Sequence, residues 1–139
     1  MGNTQSIRKI NFEDMQCFIY EPNVTLISTL SEAIQDCLIV NTIQARDESN
    51  ILNDLLKQNI ERKIVLYGMN SSDDVIVIKY NQLTKLGFCN VYVYVGGLFE
   101  WLMLQDIYGD DSFPTTKKEL DILRFKGSKM SSRLMLTYS

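Results

Sequence analysis

With 139 residues, 45% of them hydrophobic and 22% charged, the chain is long enough to bury one core without disulfide or metal staples. It contains no histidine, which excludes Ser-His-Asp and Cys-His catalysis, and its three cysteines (Cys17, Cys37, Cys89) are isolated and odd in number, which argues against a disulfide framework or a zinc site. The net charge of −3 is unevenly spread: residues 1–11 carry Arg8 and Lys9 and no acid, residues 124–139 carry Arg124, Lys126, Lys129 and Arg133 and no acid, and the body between them has a balance of −9.

An acidic body argues against nucleic acid as a partner. Basic ends suit an anionic membrane surface, although solvated tails have the same composition. The first six residues, Met1-Gly2-Asn3-Thr4-Gln5-Ser6, fit the pattern M-G-x-x-x-[ST] and predict N-myristoylation of Gly2. No apolar run reaches the ~18 residues of a membrane span, and no secretory core is present near Met1. The expectation is a cytoplasmic protein, peripheral on the cytosolic face of a membrane. One acyl chain alone binds reversibly, with a constant near ~10⁴ M⁻¹, so a second signal is required. Arg8 and Lys9 supply part of it, and Lys126, Lys129 and Arg133 supply more if the tail lies on the same face. A protein groove holding the acyl chain is the alternative.

Strand signals are short and dense. Residues 17–20, 24–29, 37–41, 63–67 and 90–95 are apolar, β-branched or aromatic, and the run at 63–67 is continuous, as in a strand covered on both faces. Helical signals fall between them: a short turn at 31–34, a helix at 49–57 with Ser49 at the N-cap, a helix at 75–86 capped by Asp73 or Asp74 and stopped by Gly87, a helix at 99–105, and a last one at 118–123. Strands alternating with helices predict an α/β domain with a mainly parallel central sheet flanked by helices on both faces. The boundaries predicted are an N-terminal lipidation segment at 1–9, a domain at 10–126 and a basic tail at 127–139. The apolar pattern at 134–138 leaves a homodimer open. The Asn- and Ile-rich composition points to an AT-rich genome, such as that of a large DNA virus or a protist.

From residue 64 the order is strand, loop, helix, Leu86-Gly87-Phe88, Asn90-Val91-Tyr92, strand, Gly96-Gly97, Trp101. This string resembles the C-terminal half of a rhodanese domain. The N-terminal half matches weakly, with Ser28 and Leu30 where that family has an acid and an arginine. The resemblance implies a rhodanese-like α/β fold and an active-site loop of the form Cys-x-x-x-x-Arg, in which backbone N–H groups and a helix N-terminus stabilise a thiolate and persulfide.

Here that loop is Gly68, Met69, Asn70, Ser71, Ser72 and Asp73. Gly68 stands at the cysteine position and Asp73 at the arginine position. The resemblance therefore implies a pseudoenzyme with no catalytic residue, no cofactor and no metal; with the N-terminal motif, the expectation is a membrane-tethered adaptor for an unidentified protein partner. An active sulfurtransferase using another cysteine, with Cys89 as the nucleophile, and a small-ligand sensor using the residual loop cleft are the alternatives. Tyr92, Tyr94 and Trp101 read as core residues, with an aromatic partner patch as the other reading.

Overall fold

The apolar run at residues 63–67 becomes the interior of a sheet because both of its faces are covered. The computed structural model describes residues 7–31 and 34–127. Its elements are β1 (Lys9–Ile10), α1 (Phe12–Phe18), β2 (Val24–Ser28), α2 (Glu48–Gln58), β3 (Lys63–Tyr67), α3 (Val75–Leu86), β4 (Val91–Tyr94) and α4 (Gly97–Tyr108), with short 3-10 turns at Ala45–Asp47 and Ile122–Phe125. The strands form one sheet in the order β1-β4-β3-β2, every pairing parallel.

Strand alternation splits the core into two layers. Leu26, Val65, Tyr67 and Tyr94 pack against Met15 of α1, Ile19 just beyond its end, and Leu98, Trp101 and Leu102 of α4. Ile27, Ile64, Leu66, Val91 and Val93 pack against Leu52 of α2 and Ile76, Tyr80 and Leu83 of α3. The fold class is the one predicted: a parallel sheet with helices on both faces.

Three predicted elements differ. Residues 17–20 do not form a strand. They end α1, which starts at Asn11 through a capping box: Asp14 N–H donates to Asn11 Oδ1 (2.9 Å) and Asn11 N–H to Asp14 Oδ2 (3.1 Å). Local capping outweighed the β propensity of Cys17-Phe18-Ile19-Tyr20. Residues 37–41 do not join the sheet either. They are held beside the segment 114–116 by Val40 N–H to Pro114 O (3.2 Å) and Thr116 N–H to Leu38 O (2.8 Å), with a single antiparallel bridge at Ile39 and Thr115. The helix expected at 118–123 is only the 3-10 turn Ile122–Phe125. The edge strand β1 carried no sequence signal, being two residues long.

Smaller differences concern caps. Ser49 lies inside the first turn of α2, whose N-cap is Asp47. Gly87 ends α3 in the left-handed region (φ 115°), as its position predicts. Of the turn expected at 31–34, Glu32 and Ala33 lie outside the described residues.

One buried hydroxyl ties the segment 39–42 to β3. Tyr67 Oη accepts from the Ile39 N–H (3.1 Å) and lies 2.7 Å from Thr42 Oγ1. Thr42 Oγ1 itself donates to Ile39 O (2.6 Å), which leaves Tyr67 as the donor to Thr42. Replacing Tyr67 by Phe leaves the buried Ile39 N–H unpaired. The expected loss is about 1–3 kcal/mol, read as a lower urea midpoint with an unchanged slope.

Burial raises the Tyr67 phenol above its ordinary value of 10, and burial together with the Glu100 carboxylate raises that of Tyr94. A folded-state pKa above the unfolded one gives stability that is complete below the unfolded value and lost as pH rises beyond it. Stability should therefore be flat approaching pH 10 and fall above it. Part of the phenolate absorbance should appear together with loss of near-UV dichroism, and a gradual, fold-independent titration of all the tyrosines would contradict this.

Candidate functional site

In an open parallel sheet, clefts form at the carboxyl ends of the strands. Here β3 delivers Gly68 to that edge, and residues 68–74 turn into α3. The turn is held from three sides. The start of α4 grips it from one side, with Leu98 N–H donating to Gly68 O and Phe99 N–H to Met69 O, both at 2.9 Å. Gly97 permits this approach. It has φ 69°, and a Cβ there would lie 2.8 Å from Gly68 O and 3.0 Å from Asn70 N. The double glycine read from the sequence thus brings a helix start against the loop.

The second contact comes from the extension after α4. Asn70 Nδ2 donates to Phe125 O (2.8 Å), and Phe125 is buried. The extension is anchored in turn by Trp101 Nε1 to Pro114 O (3.1 Å) and by Gln105 Nε2 to Phe113 O (2.7 Å). Nothing in the sequence marks 122–127 as a strap across the loop, because its fully buried side chain is one phenylalanine among six.

The third contact is internal. Asp73 folds back over Gly68. Its Oδ2 accepts from the Met69 N–H (3.1 Å) and its Oδ1 from the Val75 N–H (3.0 Å). The first of these donors belongs to the loop and the second to the opening turn of α3, so the carboxylate occupies an anion position made of backbone N–H groups at a helix N-terminus. Asp73, rather than the formal N-cap Asp74, supplies the capping bond, since Asp74 makes no side-chain cap. An added Cβ at Gly68 would lie 2.5 Å from Asp73 Oδ2, 3.0 Å from its Cγ and 3.0 Å from Thr29 Oγ1. The φ at Gly68 is not positive, so the backbone there accepts any L-residue. Space is what excludes one.

Around this loop, Ser71 and Ser72 are exposed, and Ser72 N–H is satisfied by Asn70 Oδ1 (2.8 Å). Lys9 of β1 lines a cleft together with residues 70–74. Arg8 instead lies 5.8 Å from the Tyr92 ring centre, and Lys126 is exposed just beyond Phe125. Gly2, Lys129 and Arg133 lie outside the described residues. Tyr94 donates to Glu100 Oε1 (2.6 Å), and Glu100 lines a second cleft of about 640 Å³ together with Lys9, Asp14 and Ser71.

Ser28 and Leu30 are both buried; Ser28 Oγ accepts the Leu30 N–H (3.1 Å) and the Leu30 side chain joins the core. None of the cysteines approaches the loop through a described contact. Cys17 is exposed on α1. Cys89 is exposed before β4, 3.8 Å from Ile60 O. Cys37 is buried with its thiol donating to Lys117 O (3.2 Å). Burial pushes the Cys37 thiol up, and the Glu119 carboxylate adds to the effect. Among the described residues no cluster of His, Cys, Asp or Glu is arranged to hold a metal, and no helix is long and apolar enough to cross a membrane.

The model of the rhodanese-like domain family matches residues 32–104, more than half of the chain. The chain belongs to the rhodanese-like domain family. Solved structures with the same fold include the Alr3790 protein of Anabaena, at 20% identity and a TM-score of 0.58, over 93% of this chain and 91% of that one. The BH2092 protein of Bacillus halodurans aligns at 17% identity and a TM-score of 0.59, over 92% and 89% of the two chains. The single-domain sulfurtransferase RDL2 of Saccharomyces cerevisiae aligns at 16% identity and a TM-score of 0.55, over 81% and 99%. At these identities the likeness is one of fold. No curated protein matches the chain.

Within this rhodanese-like fold, Gly68 and Asp73 form a matched pair: one leaves the space that the other fills. Gly68→Cys must push Asp73 off two N–H donors and should cost about 1–3 kcal/mol, as overpacking does. Combined with Asp73→Ala, the same substitution should cost less than the two single changes added, with a coupling on the order of 0.5–3 kcal/mol by urea denaturation. Additive losses would show that the two residues do not share the space.

Proposed function

We propose that this rhodanese-like domain is a non-catalytic module that tethers a partner protein to the cytosolic face of a membrane through an N-terminal acyl chain. The observation that carries the non-catalytic part is the Asp73 carboxylate seated on the Met69 and Val75 N–H groups above Gly68. Sulfurtransfer in this fold needs a thiol at the loop, its anion stabilised by such N–H groups. Here the thiol is missing and its anion position holds a fixed carboxylate. That negative charge also repels an anionic sulfur donor. The yeast relative is named a sulfurtransferase. For this chain to share that activity another cysteine would have to act, and Cys37 is buried with a raised pKa while Cys89 sits at the far turn before β4.

The tether rests on the Met1–Ser6 motif and on basic residues at both ends of the chain. A second reading, a small-ligand sensor, is favoured by the 640 Å³ cleft beside Glu100, which falls within the roughly 300–1,000 Å³ of small-molecule sites.

Two measurements test the proposal. The purified chain should transfer no sulfur from thiosulfate to cyanide above a Cys-free variant; activity abolished by Cys89→Ser would overturn the non-catalytic reading. When co-expressed with a myristoyltransferase, the wild type should float with anionic liposomes and Gly2→Ala should not. Equal flotation of the two would remove the lipid tether.

A further inference from the structure

Helix α3 carries a second apolar face that its own packing leaves bare. It buries Ile76, Tyr80 and Leu83 against the sheet, while Val75, Ile78, Gln82 and Leu86 follow the i, i+3, i+7, i+11 spacing of one stripe on another face. The three apolar members of that stripe, Val75, Ile78 and Leu86, are 49%, 59% and 54% exposed. Valine and isoleucine are mediocre helix formers and gain nothing from water, so neither propensity nor solvation accounts for Val75 and Ile78. The stripe runs the length of the helix, ~17 Å.

The chain leaves the described residues beside the start of this stripe. Asn70 Nδ2 donates to Phe125 O (2.8 Å), and a Cβ built on Gly127 would lie 3.5 Å from Ser72 Oγ. Ser72 precedes Val75 by three residues, at most ~11 Å of chain. Residues 128–139 follow, polar or basic up to Arg133 except for Met130, and then Leu134-Met135-Leu136-Thr137-Tyr138. The stretch from Gly127 to Leu134 spans at most ~25 Å, and residues 134–138 reach a further ~17 Å, the length of the stripe.

Charge favours the same path. Asp74, which precedes Val75, is exposed, makes no side-chain cap and has no ion pair among the described residues. Residues 126–139 hold Lys126, Lys129 and Arg133 and no acid. An exposed ion pair holds little by itself, but it biases the direction the tail takes. A tail joined at Gly127 meets the stripe at an effective concentration in the millimolar range, far above that of a second copy in dilute solution.

We propose that residues 134–138 of the same molecule dock on the stripe formed by Val75, Ile78 and Leu86 of α3. The apolar side chains of the tail then cover the valine, isoleucine and leucine that the helix leaves in water, and Lys129 and Arg133 pass beside Asp74. Removal of apolar surface from water on both sides supplies the attraction. A partner protein that reaches this face of α3 has to displace the tail. The docking does not depend on acylation of Gly2.

The test uses the full chain, methyl-labelled for NMR. Nuclear Overhauser contacts should join the methyl groups of Leu134 and Leu136 to those of Val75 and Ile78. Docking should also shield the Arg133–Leu134 bond from limited trypsin. Ile78→Glu, at an exposed position outside the core, should then speed that cleavage about fivefold with unchanged far-UV dichroism. Leu136→Glu should speed it by the same factor, and the two together by no more, because both break one contact. Val77→Glu, on the other flank of the helix, should leave the rate unchanged, and a rise there equal to that of Ile78→Glu overturns the stripe. Absent contacts, or equal cleavage of wild type and Leu136→Glu, overturn the docking whether or not Ile78→Glu disturbs the helix. Contacts seen only between differently labelled molecules assign the stripe to the tail of a second copy and also overturn it.

Discussion

Burial of β3 on both faces is the constraint from which the rest follows. Ile64 and Leu66 must enter one core and Val65 and Tyr67 the other, so the strand can neither slip by one residue nor sit at an edge. That fixed register places Gly68 at the carboxyl edge of the sheet and aims the following loop at the start of α3. Every contact of the loop, from α4, from the strap at 122–127 and from Asp73, is made to a backbone whose position β3 has already set. Tyr67 extends the constraint further, since its hydroxyl fixes residues 39 and 42, which carry no ladder of their own.

The loop has the physics of an anion site, and its acceptor is a side chain of the loop itself. Backbone N–H groups near a helix start are left unsatisfied by the helix itself and must find an acceptor. In an enzyme of this fold the acceptor is a thiolate or its persulfide. In this chain it is a carboxylate from five residues downstream. With glycine at position 68, the Asp73 carboxylate has room to cap the loop from within. The strap adds to this by tying Asn70 to Phe125.

The two halves of the chain were legible in the sequence to different degrees, for physical reasons. From residue 63 onward the strand, loop, helix, Gly87 stop and second strand were all readable, because each is set by local pattern: an apolar run, a left-handed glycine, a β-branched run. The first 45 residues were misread twice. Cys17-Phe18-Ile19-Tyr20 has strong β propensity, yet the Asn11–Asp14 capping box starts a helix before it. Residues 37–41 have the composition of a strand, but their partner is the extension at 114–116, more than seventy residues away. Propensity cannot report a partner that distant.

The sequence by itself determined the fold class, the central strand and the glycine at position 68 where the strand meets the loop, because each depends on residue identity or short-range period. Tertiary structure alone decided what fills the loop. That Asp73 turns inward onto the Met69 N–H, rather than outward as an exposed cap like Asp74, depends on the space left by Gly68 and on the approach of α4 through Gly97. It also decided that α3 leaves Val75, Val77 and Ile78 exposed, since a helical period shows which residues share a face but not whether a neighbouring element covers it.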